Sequence, residues 1–155
     1  MGDINAKLAS LIGSRICHDL ISPIGAITNG LELLDMTGAV HGAEMELIAD
    51  SVGNAGARIR FFRIAYGAAG DQTLGQQEIN AVLRDIGRGS RTRVTWLPES
   101  YLPRAEVRLA FLAVQCCENA LPYGGLIEVA CEEGENGNRT WAIRAKGEKL
   151  NVDDK

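Results

Sequence analysis

The first 70 residues carry apolar side chains at helical spacing. The longest stripe has steps of three and four, which place its members on one face of an amphipathic helix; it consists of Leu8, Ile12, Ile16, Leu20, Ile24, Ile27, Leu31 and Leu34. This stripe predicts a first helix over about residues 3–36, ended by Thr37-Gly38. Similar spacing from Met45 to Tyr66 predicts a second helix over about residues 42–69. Because only a short turn separates them, the two helices are expected to form an antiparallel hairpin.

The aliphatic stripe of the first helix is longer than a single hairpin can bury. Pairing two hairpins into a four-helix bundle is the usual way to cover such a surface. The sequence therefore predicts a homodimer formed through the first two helices.

The pattern changes after the glycine-containing stretch 67–75, which predicts a linker. Beyond it, the spacing predicts helices over 78–86 and 106–121 and strands over 93–97, 126–131 and 140–145, with a hairpin loop at 134–137. These elements are typical of helices packed on one face of a small, mostly antiparallel sheet. The predicted fold class is α+β, with a helical hairpin domain over residues 1–70 and a small α/β domain over 71–155.

Composition narrows the function classes. The chain has 155 residues, of which 46% are hydrophobic and 23% are charged, as in a globular protein. Its net charge of −4 argues against nucleic acid as the main partner, because phosphate contacts need a basic face. No apolar run is long enough to cross a membrane and no basic-apolar leader begins the chain, so we expect a cytoplasmic protein. The four cysteines lack metal-ligand spacing, which predicts buried, reduced thiols and no metal site.

One of the two histidines, His18, lies in the middle of the first predicted helix. At about 100° per residue, His18 points away from the aliphatic stripe. The residues on its face are mostly small and leave the imidazole open to a large partner: Leu11, Ser14, Ser22, Gly25 and Asn29. A lone histidine in this position would usually be an ordinary surface residue, but His18 is followed by Asp-Leu-x-x-Pro.

The segment from His18 to Pro23 resembles the H-box of histidine kinase dimerisation domains. The longer string from Ser14 to Leu34 is similar to the ChpT-type histidine phosphotransferases of alphaproteobacterial phosphorelays. The resemblance implies that His18 relays a phosphoryl group between the receiver domains of a hybrid histidine kinase and of response regulators. It also implies that the protein has no cofactor of its own and that Mg²⁺ comes from the receiver.

The residues around His18 form the predicted site. Asp19 is either a group that orients the imidazole or a solvated helix acid, and Arg15 either pairs with phosphohistidine or receiver acids or is solvated. Antiparallel pairing brings His18 near Arg60 on the second helix. The complete predicted docking surface consists of Leu11, Ser14, Arg15, Ile21, Ser22, Gly25, Arg60, Phe61 and Ile64.

The second domain resembles a degenerate histidine kinase ATP-binding domain. Glu118-Asn119-Ala120 matches the core of the N-box, but Pro122 replaces its basic residue. Ala145 stands where the family has the aspartate that binds adenine, and no long glycine-rich lid follows Asn119. The domain is therefore expected to have lost its nucleotide. The tail 151–155 stops where such a domain normally continues, which leaves open that a closing segment is missing.

Three functions remain in competition at this point. A phosphotransfer protein uses His18 as an exposed nucleophile. An ATP-dependent histidine kinase fragment requires nucleotide contacts that Pro122 and Ala145 do not supply. A catalytically silent dimeric adaptor for receiver domains leaves His18 without a purpose.

Overall fold

The computed structural model describes residues 2–38, 42–67 and 70–151. The chain divides into two compact units, residues 1–68 and 69–155. Four helices and two small sheets make up the described residues, so the fold is α+β.

The first unit consists of helices α1 (Gly2–Met36) and α2 (Ala43–Ala65). Helix α1 continues through Pro23 and ends as predicted, with Gly38 at a φ of 63°, a conformation that glycine adopts without strain. Helix α2 is shorter than predicted. It ends at Ala65, where the backbone N–H of Tyr66 donates to the carbonyl of Phe62.

Two close contacts fix the antiparallel register of α1 and α2. A Cβ atom added at Gly13 would lie 3.1 Å from the Cβ of Tyr66, and one added at Gly56 would lie 3.5 Å from Cγ2 of Ile24. His18 lies between Gly13 and Ile24 on α1, so it is level with the part of α2 near residue 61. The predicted proximity of His18 to this turn of α2 follows from the same register.

The second unit, within the described residues, contains two helices and five strands. Their order along the chain is β1 (Thr73–Leu74), α3 (Gln76–Gly87), β2 (Thr92–Trp96), β3 (Leu102–Pro103), α4 (Arg104–Ala120), β4 (Gly125–Glu133) and β5 (Arg139–Lys146). Strands β1 and β3 pair antiparallel and were not predicted. Two residues are too few to show the alternation that marks a strand.

The main sheet has the order β2-β4-β5. Strands β4 and β5 form an antiparallel hairpin, but β2 pairs parallel with β4, in register from Thr92 with Gly125. The prediction of a mostly antiparallel sheet is therefore wrong for the pairing of β2 with β4. The reason is the connection: a strand that reaches its neighbour through a helix, here α4, returns in the same direction. The core of the unit is fully buried and includes Phe111, Val114 and Val129.

A hydrogen-bond cluster joins the start of α4 to β5. Glu106 accepts a hydrogen bond from Nη1 of Arg139 at 2.8 Å on one oxygen and from Nε1 of Trp141 at 3.1 Å on the other. Both oxygens of this half-buried carboxylate thus accept hydrogen bonds from side chains of β5. The contact holds α4 against the sheet.

Candidate functional site

His18 lies in the middle of α1 with its imidazole open to solvent, the side chain being 83% exposed. The helix places the stripe residues Ile12, Ile16 and Leu20 on other faces of α1, and they are also exposed within the single chain. The imidazole is therefore accessible to a group carried by another molecule.

Asp19 connects His18 to Arg15. Its Oδ2 accepts a hydrogen bond from Nε of Arg15 at 2.9 Å, and its Oδ1 lies 3.3 Å from Nδ1 of His18. Arg15 and Asp19 are one helical turn apart, the spacing at which side chains of a helix meet. The sequence identified all three residues as site candidates but did not pair Arg15 with Asp19, although their i, i+4 spacing was the available signal.

The pKa of Asp19 is held below its ordinary value. The hydrogen bond with His18 is the largest cause, and the bond and charge of Arg15 add to it, against an opposing effect of desolvation. The carboxylate is consequently ionised at neutral pH and can act only as an acceptor.

This geometry selects one tautomer of the neutral imidazole. Because the carboxylate accepts only, the hydrogen between it and His18 belongs to Nδ1. The other nitrogen, Nε2, then carries a lone pair directed away from Asp19. An exposed neutral imidazole nitrogen with a free lone pair is a nucleophile.

The predicted docking residues divide into two groups. Those of α1 lie on the surface around His18, with Leu11, Arg15, Ile21 and Ser22 exposed and Ser14 and Gly25 half-buried; Arg60 of α2 is exposed as well. A Cβ atom at Gly25 would meet nothing within 4 Å. These residues stay candidates for contact with a partner.

The prediction that Phe61 and Ile64 belong to the docking surface is wrong. Their exposed fractions are 3% and 5%, so neither can present its side chain to a partner. They share one face of α2 with Ala57 and Ala65, which are also buried. The spacing of these four residues is that of a core-facing stripe.

Cys17 and Arg63 are neighbours of the site that the sequence did not assign to it. Cys17 is buried beneath the helix surface beside His18, and burial raises the pKa of its thiol while the charge of Arg63 partly lowers it. Arg63 follows Gly56 and Ile59 at helical spacing, on the face of α2 that packs on α1. That spacing would have identified it. The predicted burial of the cysteines is right for Cys17 but wrong for the others, since Cys116 is exposed and Cys117 and Cys131 are only half-buried.

The chain has clear relatives. Residues 76–155 match the family described as histidine phosphotransferase C-terminal domain. The protein phosphotransferase ChpT of Brucella abortus (strain 2308) is 40% identical over 148 residues, covering 94% of this chain and 70% of that protein. The chain belongs to the ChpT-type histidine phosphotransferases. A solved structure described as a bacterial phosphotransferase is similar with a TM-score of 0.64 at 34% identity, over 97% of this chain and 71% of the other.

The second unit of this histidine phosphotransferase is tightly packed where the kinase-like resemblance puts the adenine-binding turn. A Cβ atom at Gly147 would lie 2.6 Å from Cδ2 of Leu121 and 2.8 Å from the carbonyl oxygen of Gly124. The backbone N–H of Asn151 donates to the carbonyl of Ala120 at 2.9 Å. The segment after β5 thus lies directly on the turn that follows α4.

Two further features of this phosphotransferase concern ligands and membranes. In the described ranges, no group of three or more His, Cys, Asp and Glu side chains is arranged to hold a metal ion. None of the helices in these ranges has the length and apolar character of a membrane span.

Proposed function

We propose that His18 accepts a phosphoryl group from the aspartyl phosphate of one receiver domain, that of a hybrid histidine kinase, and passes it to the receiver of a response regulator. The observation that carries this proposal is the exposed imidazole with Nδ1 held by Asp19. This arrangement leaves Nε2 as the nucleophile.

The transfer step conserves atoms and charge. The lone pair of Nε2 attacks phosphorus, the bond from phosphorus to the receiver's carboxylate oxygen breaks, and the carboxylate leaves with the electron pair. The imidazole ring then carries hydrogen on Nδ1 and the phosphoryl group on Nε2, so it bears positive charge. Asp19 stabilises that charge through the hydrogen bond at Nδ1. The second transfer reverses these events on another receiver.

The receiver supplies the remaining chemistry. Mg²⁺ bound by the receiver neutralises the phosphoryl oxygens, and the phosphotransferase contributes no cofactor or metal of its own. The docking surface consists of the exposed and half-buried candidates around His18 on α1, together with Arg60 of α2. We infer a cytoplasmic location, because receiver domains act in the cytoplasm.

The protein acts as a homodimer in this proposal. Six members of the α1 stripe are exposed in the single chain, and they are Leu8, Ile12, Ile16, Leu20, Ile27 and Leu34. An apolar surface of this length is typical of a protein interface. An open groove of about 460 Å³ between the two helices, lined in part by Leu31, Met45 and Val52, offers space for side chains of a second copy. The stripe lies opposite His18, so a four-helix bundle leaves the imidazole free.

The kinase alternative requires ATP in the second unit. The adenine-binding aspartate of kinases is Ala145 here, and the tight packing of Gly147 on Leu121 supports loss of the nucleotide. We expect no heat of binding when the protein is titrated with magnesium-ATP. Micromolar binding, or phosphorylation of His18 by ATP without a receiver, would favour the kinase.

The experiment that tests the function follows labelled phosphate from a phosphorylated receiver domain. The parent protein is expected to take up label as an adduct that is labile in acid and stable in base, as a phosphoramidate is. His18→Gln is expected to take up none. Because His18 is exposed, this variant should lose less than about 0.5 kcal/mol of stability, which denaturant unfolding can check.

The second histidine provides the matched control. His41 lies outside the described residues, and His41→Gln should take up label at the parent rate. Equal labelling of His18→Gln and the parent would eliminate His18 as the acceptor and favour the adaptor.

A further inference from the structure

Arg15 holds Asp19 with only one of its nitrogen atoms. Nε donates to Oδ2 of Asp19 at 2.9 Å, while the two terminal nitrogens make no ion pair or hydrogen bond with the residues that the structure describes. The side chain is 76% exposed, so these terminal groups are accessible to solvent. An arginine used this way fixes a carboxylate and keeps its outer donors available.

The bond between Asp19 and His18 needs such support. The two residues are adjacent in sequence, so their side chains leave the helix about 100° apart and meet at a long distance of 3.3 Å. The bond from Arg15 is shorter and charge-assisted on both sides. Arg15 therefore holds the carboxylate by the shorter of its two bonds, and it limits the rotamers in which Oδ1 can reach Nδ1.

Arg15 also weakens an electrostatic repulsion at the site. The carboxylate that orients His18 would repel an incoming phosphoryl group, which carries negative charge itself. The guanidinium lies on the other oxygen of the same carboxylate and offsets that charge. With a neutral imidazole, the three side chains together carry no net charge.

We propose that Arg15 is a positioning residue for phosphotransfer: by holding Oδ2 of Asp19 it keeps Oδ1 on Nδ1 of His18, and it screens the carboxylate from the phosphoryl group approaching Nε2. This inference rests on the proposed function of His18 for its kinetic consequences. Its structural consequence, the tautomer of His18, holds with or without phosphotransfer.

The first test is nitrogen NMR of the uniformly labelled full chain, at a pH where histidine imidazoles are neutral. Correlations between ring hydrogens and nitrogens identify the nitrogen that carries the proton. The parent is expected to have hydrogen on Nδ1 of His18, and Arg15→Gln is expected to shift the population toward hydrogen on Nε2. Arg15→Lys should restore part of the parent population. Lys7→Gln, which removes one exposed positive charge about three turns before His18 on α1, should have no effect.

The second test is a double-mutant cycle on the rate of transfer from a phosphorylated receiver at saturation. Arg15→Gln should slow transfer about two- to five-fold, the range for an exposed ion pair, and Asp19→Ala should slow it by at least as much. The double variant should be no slower than Asp19→Ala, because Arg15 acts through Asp19. The receiver concentration for half-maximal rate should not change in Arg15→Gln.

Two results would overturn the proposal. An unchanged tautomer in Arg15→Gln removes the positioning role, even if no receiver ever labels the parent and the proposed function itself fails. The other result is a double variant in which the rate losses of the two single variants multiply, together with a higher half-maximal receiver concentration in Arg15→Gln. Arg15 would then be a direct contact of the receiver.

Discussion

The two carboxylate oxygens of Asp19 have different partners, the guanidinium of Arg15 and the imidazole of His18. Arg15 and His18 each bond one oxygen of the carboxylate, and both favour its ionised form. The sequence identified these residues because helical spacing and a short motif brought them together. It could not give the division of the oxygens, because that depends on side-chain rotamers.

Titration of Asp19 provides a direct prediction at this scale. Its carboxyl carbon should titrate in NMR with a pKa below that of an ordinary aspartate, and His18→Ala should raise that pKa because the largest cause of the shift is removed. A group with a lowered pKa in the folded state stabilises the fold fully above its unfolded value of about 3.9. That contribution disappears as the pH falls through the lower folded value.

Denaturant unfolding at a series of pH values checks the sign of this linkage. In the parent protein, protonation of Asp19 accounts for part of the stability that is lost at low pH. Asp19→Asn cannot undergo this protonation, so its free energy of unfolding should not lose that part. An Asp19 pKa that does not move in His18→Ala would show that the hydrogen bond at Nδ1 does not persist in solution.

Phe61 and Ile64 show where residue-level prediction failed. Antiparallel pairing gave their correct height beside His18 but not the face of α2 on which they lie. Helical spacing with Ala57 and Ala65 marks that face as buried. Predicting which residues can meet a partner therefore requires both their height along the hairpin axis and their angular position around their own helix.

Among the elements, α4 and β5 are joined by one carboxylate that accepts hydrogen bonds from two side chains of the strand. Removing the Glu106 side chain leaves Arg139 and the indole N–H of Trp141 half-buried without their shared acceptor. Glu106→Ala should therefore lower the free energy of unfolding by about 1–3 kcal/mol, measured by circular dichroism in urea.

The matched control for Glu106 lies on the same sheet. Glu128 accepts from Nη1 of Arg144 at 3.3 Å, but both side chains are largely exposed. Glu128→Ala should cost less than about 0.5 kcal/mol. Equal losses for the two variants would mean that the Glu106 cluster contributes no more than a surface ion pair.

The elements of the second unit also show what sequence patterns can predict. Helices α3 and α4 and strands β4 and β5 were predicted within a few residues, because each has a long periodic pattern. The direction of β2 was missed because periodicity does not describe pairing. The helical connection between β2 and β4 contained that information.

For the whole molecule, the decisive property is the surface that one chain leaves uncovered. The exposed stripe of α1 predicts that the protein is a dimer in solution, which light scattering can measure. Charged residues at Ile16 and Leu20 should dissociate or unfold the dimer, because burying a charge in an apolar seam is costly.

Leu11→Asp is the control for the dimer prediction. Leu11 is similarly exposed but lies on the His18 face of α1. Its charged variant should stay dimeric and bind the receiver more weakly. A monomeric parent protein, or dissociation caused equally by Leu11→Asp, would contradict the bundle.

The parallel pairing of β2 with β4 has a consequence for the order of folding. Contacts within the α1–α2 hairpin and the β4–β5 hairpin join elements that are adjacent along the chain, whereas β2 must wait for α4 and β4 before it has a partner. Ribosomes add about 5–20 residues per second, and local helical contacts form far faster than that. We therefore expect the helical hairpin that carries His18 to gain structure during synthesis, while β2 acquires its sheet partner only after β4 has left the ribosome. Pulsed hydrogen exchange on refolding chains should accordingly protect the amides of β2 after those of α1 and α2.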